Sequence, residues 1–572
     1  MPGDGTDGEA PGRAAGEGPQ ILVLLGALLA VTAIAYAGTL TAGFVWDDAD
    51  WVLPLIGTSP GTAFWDSLKS RQVGGGLAFA YYRPVAAFSF ALDGWLWGSS
   101  AQGFHLTNLL LYLGCLVLAF LLAKRLLPAP EPALLAAAVF ALHPVHVEAV
   151  AALQGRYDLL AFAGGTAALL GFLQALEHRP SVLLLGGTGL ALLGGLLSKE
   201  AALVVPALAL ACWALGSPER RRPLGHAVRA FVPFLLALAA YGLLRGLAGV
   251  ASQPPAPDLL PGGQRWLLTP VVFAKYLWLL IWPYPLNPYY VVPPASGLGD
   301  PRVLAGMGLG LSLVAAAAWA TLRARRIALP LVWFLIAVVP VLPLAPLRGF
   351  TMRERYLFLP SFGCALAVGL AWRAISSRTS SLWLRRTVLG AGAALALGWI
   401  GVVMAHVPDW VEPTGLYRAM VRVSPESAFA QNNLGQILLA EGNLEEGLRH
   451  LKTAVALRPD MAFAHAGLGL AHWRRGDLPQ ASAAFQAAAR LRPQDPRILA
   501  DLAAALAAQG RWPEAVEVLR RLEELRPGSP EVARQMAAAA AAIGSSGAAL
   551  QTSGRGGKRE APEAPRKGAA SP

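Results

Sequence analysis

Residues 21–53 read ILVLLGALLAVTAIAYAGTLTAGFVWDDADWVL, and the fold class turns on the junction inside them. The first twenty, 21–40, carry no charge, and about 20 apolar residues are what a helix needs to cross the hydrocarbon core of a bilayer. Asp47, Asp48 and Asp50 follow at once, flanked by aromatic residues. The run also ends in Ala-Tyr-Ala, which suits a leader cleavage site. The residues before it hold Asp4, Asp7, Glu9 and Glu17 against Arg13, the wrong charge for a leader. The run is therefore read as an uncleaved span with acids at its mouth.

Working outward, the same pattern repeats. The chain has 572 residues, 55% hydrophobic and 14% charged, whereas soluble proteins carry about 25% charged residues. Spans are expected near 21–40, 105–123, 133–150, 158–176, 181–197, 201–216, 229–249, 303–321, 328–346, 355–372 and 387–406, with a re-entrant or interfacial helix at 266–284. The formal net charge is +12, but the basic residues sit in short loops between apolar runs and lack aromatic interleaving. That excludes a nucleic-acid partner and fits positive-inside topology. With residues 1–19 cytoplasmic and disordered, parity puts the basic loops at 124–125, 177–179, 219–222, 323–326 and 373–386 on one face. The other face receives the acidic loop 41–104 and everything after 406. The three cysteines (Cys115, Cys212, Cys364) lie in apolar runs and form no disulfide framework.

From 425 onward proline recurs at 425, 459, 493 and 527, leucine at 434, 468 and 502, and glycine at 442, 476 and 510. A period of 34 is that of tetratricopeptide (TPR) helix pairs, which stack into a concave peptide-binding surface. Repeats are expected at 428–461, 462–495 and 496–529 within a domain 408–545, followed by a disordered tail 546–572. The fold class is thus all-α, a polytopic membrane bundle over 20–407 followed by an α-solenoid.

Ionisable residues near membrane depth cost a few kcal/mol each and usually line a functional cavity. His143, His146, Glu148, Arg156, Asp158, Lys199, Glu200, Arg353, Glu354 and Arg355 all fall on the same face as Asp47. One polar cavity opening to that face accounts for them together; ordinary loop residues are the alternative. Asp47 and Asp48 also suit an interfacial helix cap, and Lys199–Glu200 a simple ion pair. HPVHVE (143–148) contains metal-type donors, so a divalent cation stays open, although Pro144 breaks the register between the histidines. The glycines of 185–195 read as helix packing.

GFVWDDADWV (43–52), YYRPVAAFSFALD (81–93), GFHLTNLLLY (103–112), HPVHVEAVAALQGRYDLLA (143–161), LLSKEAALVVPAL (196–208) and RERYLFLPSFG (353–363), in that order and followed by TPR repeats, resemble the transmembrane-and-TPR protein O-mannosyltransferases and their bacterial relatives, which are C-type glycosyltransferases. The resemblance covers most of 40–530. It implies a polyprenyl- or dolichyl-phosphate sugar as donor, with no other cofactor, a protein Ser/Thr hydroxyl as acceptor, and transfer on the extracytoplasmic face of the plasma membrane. A hydroxyl needs a base within hydrogen-bond reach, and a departing phosphate needs fixed cations. On that picture Asp47 is the base and Asp48 positions or tunes it. Arg353, Arg355, Lys199 and Arg156 take the donor phosphate. Arg83, His105, His143, His146, Glu148, Asp158, Glu200 and Glu354 contact substrate. Arg355 has no acid partner in the sequence beyond its neighbour Glu354. Rival readings are an O-antigen-type ligase or polymerase using lipid-linked sugar, and a non-enzymatic TPR scaffold; eleven spans with aligned charges exceed what an anchor requires.

Overall fold

The computed structural model describes residues 12–69, 82–127, 129–178, 180–216, 224–249, 262–344 and 352–554. The outermost parts of the two expected disordered ends (1–11 and 555–572), and the basic loop at 219–222, lie outside the described residues. The start of the first helix (Gly12–Tyr36) and the end of the last (Pro530–Gly554) take in the rest of those ends. No strand occurs among the described residues. The chain divides into two compact units, Met1–Ser424 and Pro425–Pro572.

Among the described residues of the first unit, seven helices are long and apolar enough to cross a membrane: Pro19–Thr41, Ala101–Leu126, Leu153–Glu177, Leu224–Leu247, Pro301–Arg323, Glu354–Arg378 and Leu382–Trp410. Each covers one of the spans expected from hydropathy. The other four expected spans take different forms. The run at 133–150 is broken into Pro130–Leu142 and Pro144–Ala151, bent by 55°; Pro144 has no N–H for the helical ladder and its ring crowds the preceding turn. Val182–Leu196, Glu200–Leu215 and Ile327–Val341 are apolar but shorter. The apolar stretch near 266–284 is a regular helix, Gly262–Ile281.

Close helix packing comes from small residues. A Cβ on Gly164 would lie 2.6 Å from the Ala191 carbonyl oxygen, and one on Gly195 would lie 3.2 Å from that of Ala161. The glycines of 185–195 thus include close contacts between the helices Arg156–Glu177 and Val182–Leu196. Large apolar side chains such as Leu183, Leu322 and Trp383 point outward, as lipid contact requires.

The second unit holds three helix pairs, Ala428–Ala440 with Leu444–Leu457, Ala462–Arg475 with Leu478–Leu491, and Pro496–Ala508 with Trp512–Leu525, followed by the helix from Pro530. Each pair turns on a glycine of the 34-residue series: Gly442, Gly476 and Gly510 have φ of +88°, +84° and +72°, the left-handed region that side chains resist. The domain boundary differs from the expected 408. Residues 408–424 belong to the membrane unit, because the Val411 carbonyl accepts from the Gly43 N–H at 2.9 Å and Trp410 stacks on Trp46.

Candidate active site

The segment after the first span is held from both sides. His105 Nε2 lies 3.2 Å from the Gly43 carbonyl oxygen. The chain then turns through Trp46, whose φ of +54° is the one positive value of a non-glycine among the described residues. Asp48 begins a four-residue helix, and its Oδ2 accepts from the Val45 N–H at 2.9 Å. Asp47 occupies the N-cap position but makes no capping bond. The carboxylate ahead of the helix is therefore left for other work.

A cavity opens at this turn, lined by Val45, Trp46, Asp47, Asp48, Ala152, Gln154, Arg353, Arg355 and Trp410. Burial pushes the Asp47 carboxyl above its ordinary value, against the opposing charges of Arg353 and Arg355 and the nearby Gln154 amide; Asp50 adds to the rise. Asp48 is more deeply buried. Burial lifts it to about 8, opposed by the Val45 N–H and reinforced by the charge of Asp47.

The two arginines are organised by Glu148, which is fully buried. Its Oε1 lies 3.4 Å from Arg353 Nη1 and 3.5 Å from Arg355 Nε, and its Oε2 accepts from the Arg355 backbone N–H at 3.1 Å. Arg355 thus has an acid partner remote in sequence, whereas its neighbour Glu354 turns away. Glu354 Oε1 accepts from Tyr290 Oη at 2.7 Å and from the Asn287 N–H. Arg353 also lies over the Trp46 ring, 4.5 Å from its centroid.

The alternative reading of Lys199–Glu200 as a simple ion pair does not hold. Lys199 Nζ is 2.5 Å from Asp158 Oδ1, and Glu200 pairs with Arg83 at 3.1 Å and Arg245 at 3.9 Å. Beside Asp158 runs an apolar groove lined by Phe162, Gly165, Leu169, Val205 and Phe358 among others. Arg156 is committed elsewhere: it pairs with Asp93 at 2.6 Å and donates to Asn108 Oδ1 and to the carbonyls of Phe104 and Ser89. It has no accessible surface, and these four bonds are all internal, so it presents nothing to a phosphate in the cavity.

The histidines are built into the bundle. His143 Nε2 lies 3.0 Å from the Leu280 carbonyl oxygen. His146 bridges Tyr112 Oη (3.0 Å) and Ser361 Oγ (2.9 Å). Among the described residues no three His, Cys, Asp or Glu side chains converge to hold a metal ion.

The family described as dolichyl-phosphate-mannose-protein mannosyltransferase matches residues 83–243, and tetratricopeptide repeat families match 426–494 and 466–530. Protein O-mannosyl-transferase Tmtc1 of Drosophila melanogaster is 28% identical over 73% of this chain and 59% of its own length. The human protein O-mannosyl-transferase TMTC1 is 27% identical over 75% of this chain and 54% of its own. The chain is similar to the protein O-mannosyl-transferases over about three quarters of its length. It spans about three fifths of the length of the first of these relatives. Among solved structures, an archaeal oligosaccharyltransferase, AglB of Archaeoglobus fulgidus, overlaps 71% of this chain and 59% of its own at 15% identity and a TM-score of 0.37.

The mannosyltransferase match takes in Arg83, His105, Glu148, Arg156, Asp158, Lys199 and Glu200, but Asp47, Arg353 and Arg355 lie outside it. Sequence reasoning missed Asp93, Gln154 and Trp410. A lone acid in an apolar run (Asp93) was a readable signal; Gln154 and Trp410 acquire their places only through tertiary contact.

Proposed function

We propose that this chain is an integral membrane glycosyltransferase that moves a sugar, mannose by analogy with its relatives' names, from a polyprenyl-phosphate donor to a protein hydroxyl on the extracytoplasmic face. The observation that carries the reading is Asp47, free of capping duty, facing Arg353 and Arg355 across one cavity.

In the reaction the acceptor oxygen attacks the anomeric carbon and gives its proton to Asp47. The bond from that carbon to the phosphate oxygen breaks, and the lipid phosphate departs with the electron pair. Arg355 and Arg353, held by Glu148, meet that growing negative charge with preorganised donors. Lys199, paired with Asp158 at the head of the apolar groove, is suited to the phosphate, with the isoprenoid lying along Phe162 and Leu169. Arg83 and Glu200 stand behind as a second ion pair. Arg156 supports the scaffold and takes no part in phosphate binding. The TPR unit is suited to acceptor protein.

The test is reconstitution of the full chain with mannosyl- and glucosyl-phosphate polyprenols and Ser/Thr peptides, with a polyprenyl-diphosphate oligosaccharide in a parallel arm. Sugar on peptide from a monophosphate donor supports the reading. Transfer only from the diphosphate arm replaces it with a ligase, and no transfer from any donor removes it.

A further inference from the structure

Trp46 is a bulky residue in the left-handed backbone region, at the position just before Asp47. Such a conformation persists only when its surroundings over-determine it, and the strain usually serves to aim a group. The backbone ahead of it is pinned by the Gly43 N–H bond to Val411, and the Val45 N–H bond to the Asp48 side chain closes the turn across it. The indole itself is held by Arg353, and it is stacked on Trp410 with ring centroids 6.3 Å apart and planes 24° from parallel. Trp410 is buried and closes the 3-10 turn Val407–Trp410 at the end of the last membrane-capable helix. The segment 406–424 is tied internally, since Asp409 pairs with His406 at 2.9 Å and Arg422 at 3.0 Å. Its far end is tied at Ser424, whose Oγ accepts from Asn287 Nδ2 at 2.8 Å.

We propose that Trp410 is a positioning residue for Asp47, acting through the strained backbone of Trp46, so that residues 406–424 are part of the transfer machinery rather than a linker. The inference rests on the reading of Asp47 as the base. Trp410 touches no reacting atom. It fixes the ring whose backbone directs the carboxylate, and a displacement near 1 Å at a reacting group costs up to about a hundred-fold in rate.

The test uses the full chain. Trp410→Ala is expected to lower kcat about ten-fold or more while leaving the KM for donor and acceptor nearly unchanged, and Trp410→Phe recovers most of the rate. Trp46→Gly takes up the left-handed backbone without strain. In that background, whatever its own rate, Trp410→Ala costs less than about two-fold, because coupled residues do not add. An equal cost in both backgrounds overturns the proposal and leaves Trp410 a packing residue. A second arm needs no turnover. Val45→Cys, in a chain whose three native cysteines are alanine, is buried and is labelled slowly by a membrane-impermeant maleimide. Trp410→Ala accelerates labelling several-fold, and an unchanged rate overturns the brace. If the parent chain transfers no sugar, the reading of Asp47 falls, while the labelling arm still decides whether Trp410 holds the turn.

Discussion

Asp47 and Asp48 are adjacent, yet their surroundings divide the work between them. Asp48 accepts the Val45 N–H and is almost inaccessible, and burial raises it to about 8; near neutral pH it retains its proton for much of the time. Asp47 lines the cavity and faces two arginines. Asp47→Asn keeps the shape but cannot accept a proton, so transfer falls about 10²–10⁴-fold with membrane abundance unchanged. Asp48→Asn costs less, and the opposite order in a kcat comparison reverses the roles. The pH profile gives a second check. A base works only when deprotonated, and Asp47 is raised by burial, so activity fails as pH drops through a value above the ordinary carboxylate range. Arg353 is the strongest influence holding that value down. Arg353→Gln therefore moves the acid limb of kcat/KM to higher pH, and an unmoved limb dissociates Arg353 from Asp47. Much of this was legible in the sequence, because the acid pair and Arg-Glu-Arg stand out from apolar flanks. The partner of Arg355 was not, since Glu148 lies more than two hundred residues away and only packing joins them.

Glu148 reaches the arginines because the helix carrying it is bent by 55° at Pro144. The bend aims one carboxylate at two arginines from a remote part of the chain. Glu148→Gln keeps the hydrogen-bonding outline but removes the charge that orders both forks. Donor use drops by an order of magnitude or more, about what loss of a charge-assisted pair entails, and Arg355→Lys recovers only part of the activity of the Arg355 site relative to Arg355→Ala. Arg156 behaves differently. It ties the helix Arg156–Glu177 to Asp93 and Asn108 with no accessible surface. Removing one partner of a buried pair costs about 3–5 kcal/mol, so Arg156→Ala lowers folded abundance before any kinetic effect is read. Detergent-solubilised thermal unfolding checks the scaffold role: Arg156→Ala unfolds well below the parent temperature, and an unshifted transition removes that role. Hydropathy located both helices. It could not tell a cavity-lining arginine from a scaffold arginine, because both cost the same in an apolar run and differ only in what surrounds them.

At the scale of the whole chain, the 34-residue period marked the three TPR pairs almost to the residue, because each turn demands a left-handed glycine. The boundary ahead of them was set instead by contacts the period cannot see, the Gly43–Val411 bond and the Trp46–Trp410 stack. Those contacts also constrain topology. Residues 43 and 411 touch, so the chain between them crosses the membrane an even number of times, whichever of the short helices span it. Arg125 and Glu177 form an ion pair, so the basic loops they adjoin share a face as well. On the proposed topology that face is cytoplasmic by the positive-inside rule, and the Asp47 turn and Val411 lie on the other. On the same proposal the TPR repeats share the face of Val411, since no apolar run of spanning length follows 411. A reporter active only in the cytoplasm, fused after Ser545, is therefore silent, and the same reporter fused after Arg378 is active. Signal from the Ser545 fusion would place Val411, and with it Asp47, in the cytoplasm, where the proposed transfer to an extracytoplasmic acceptor cannot occur.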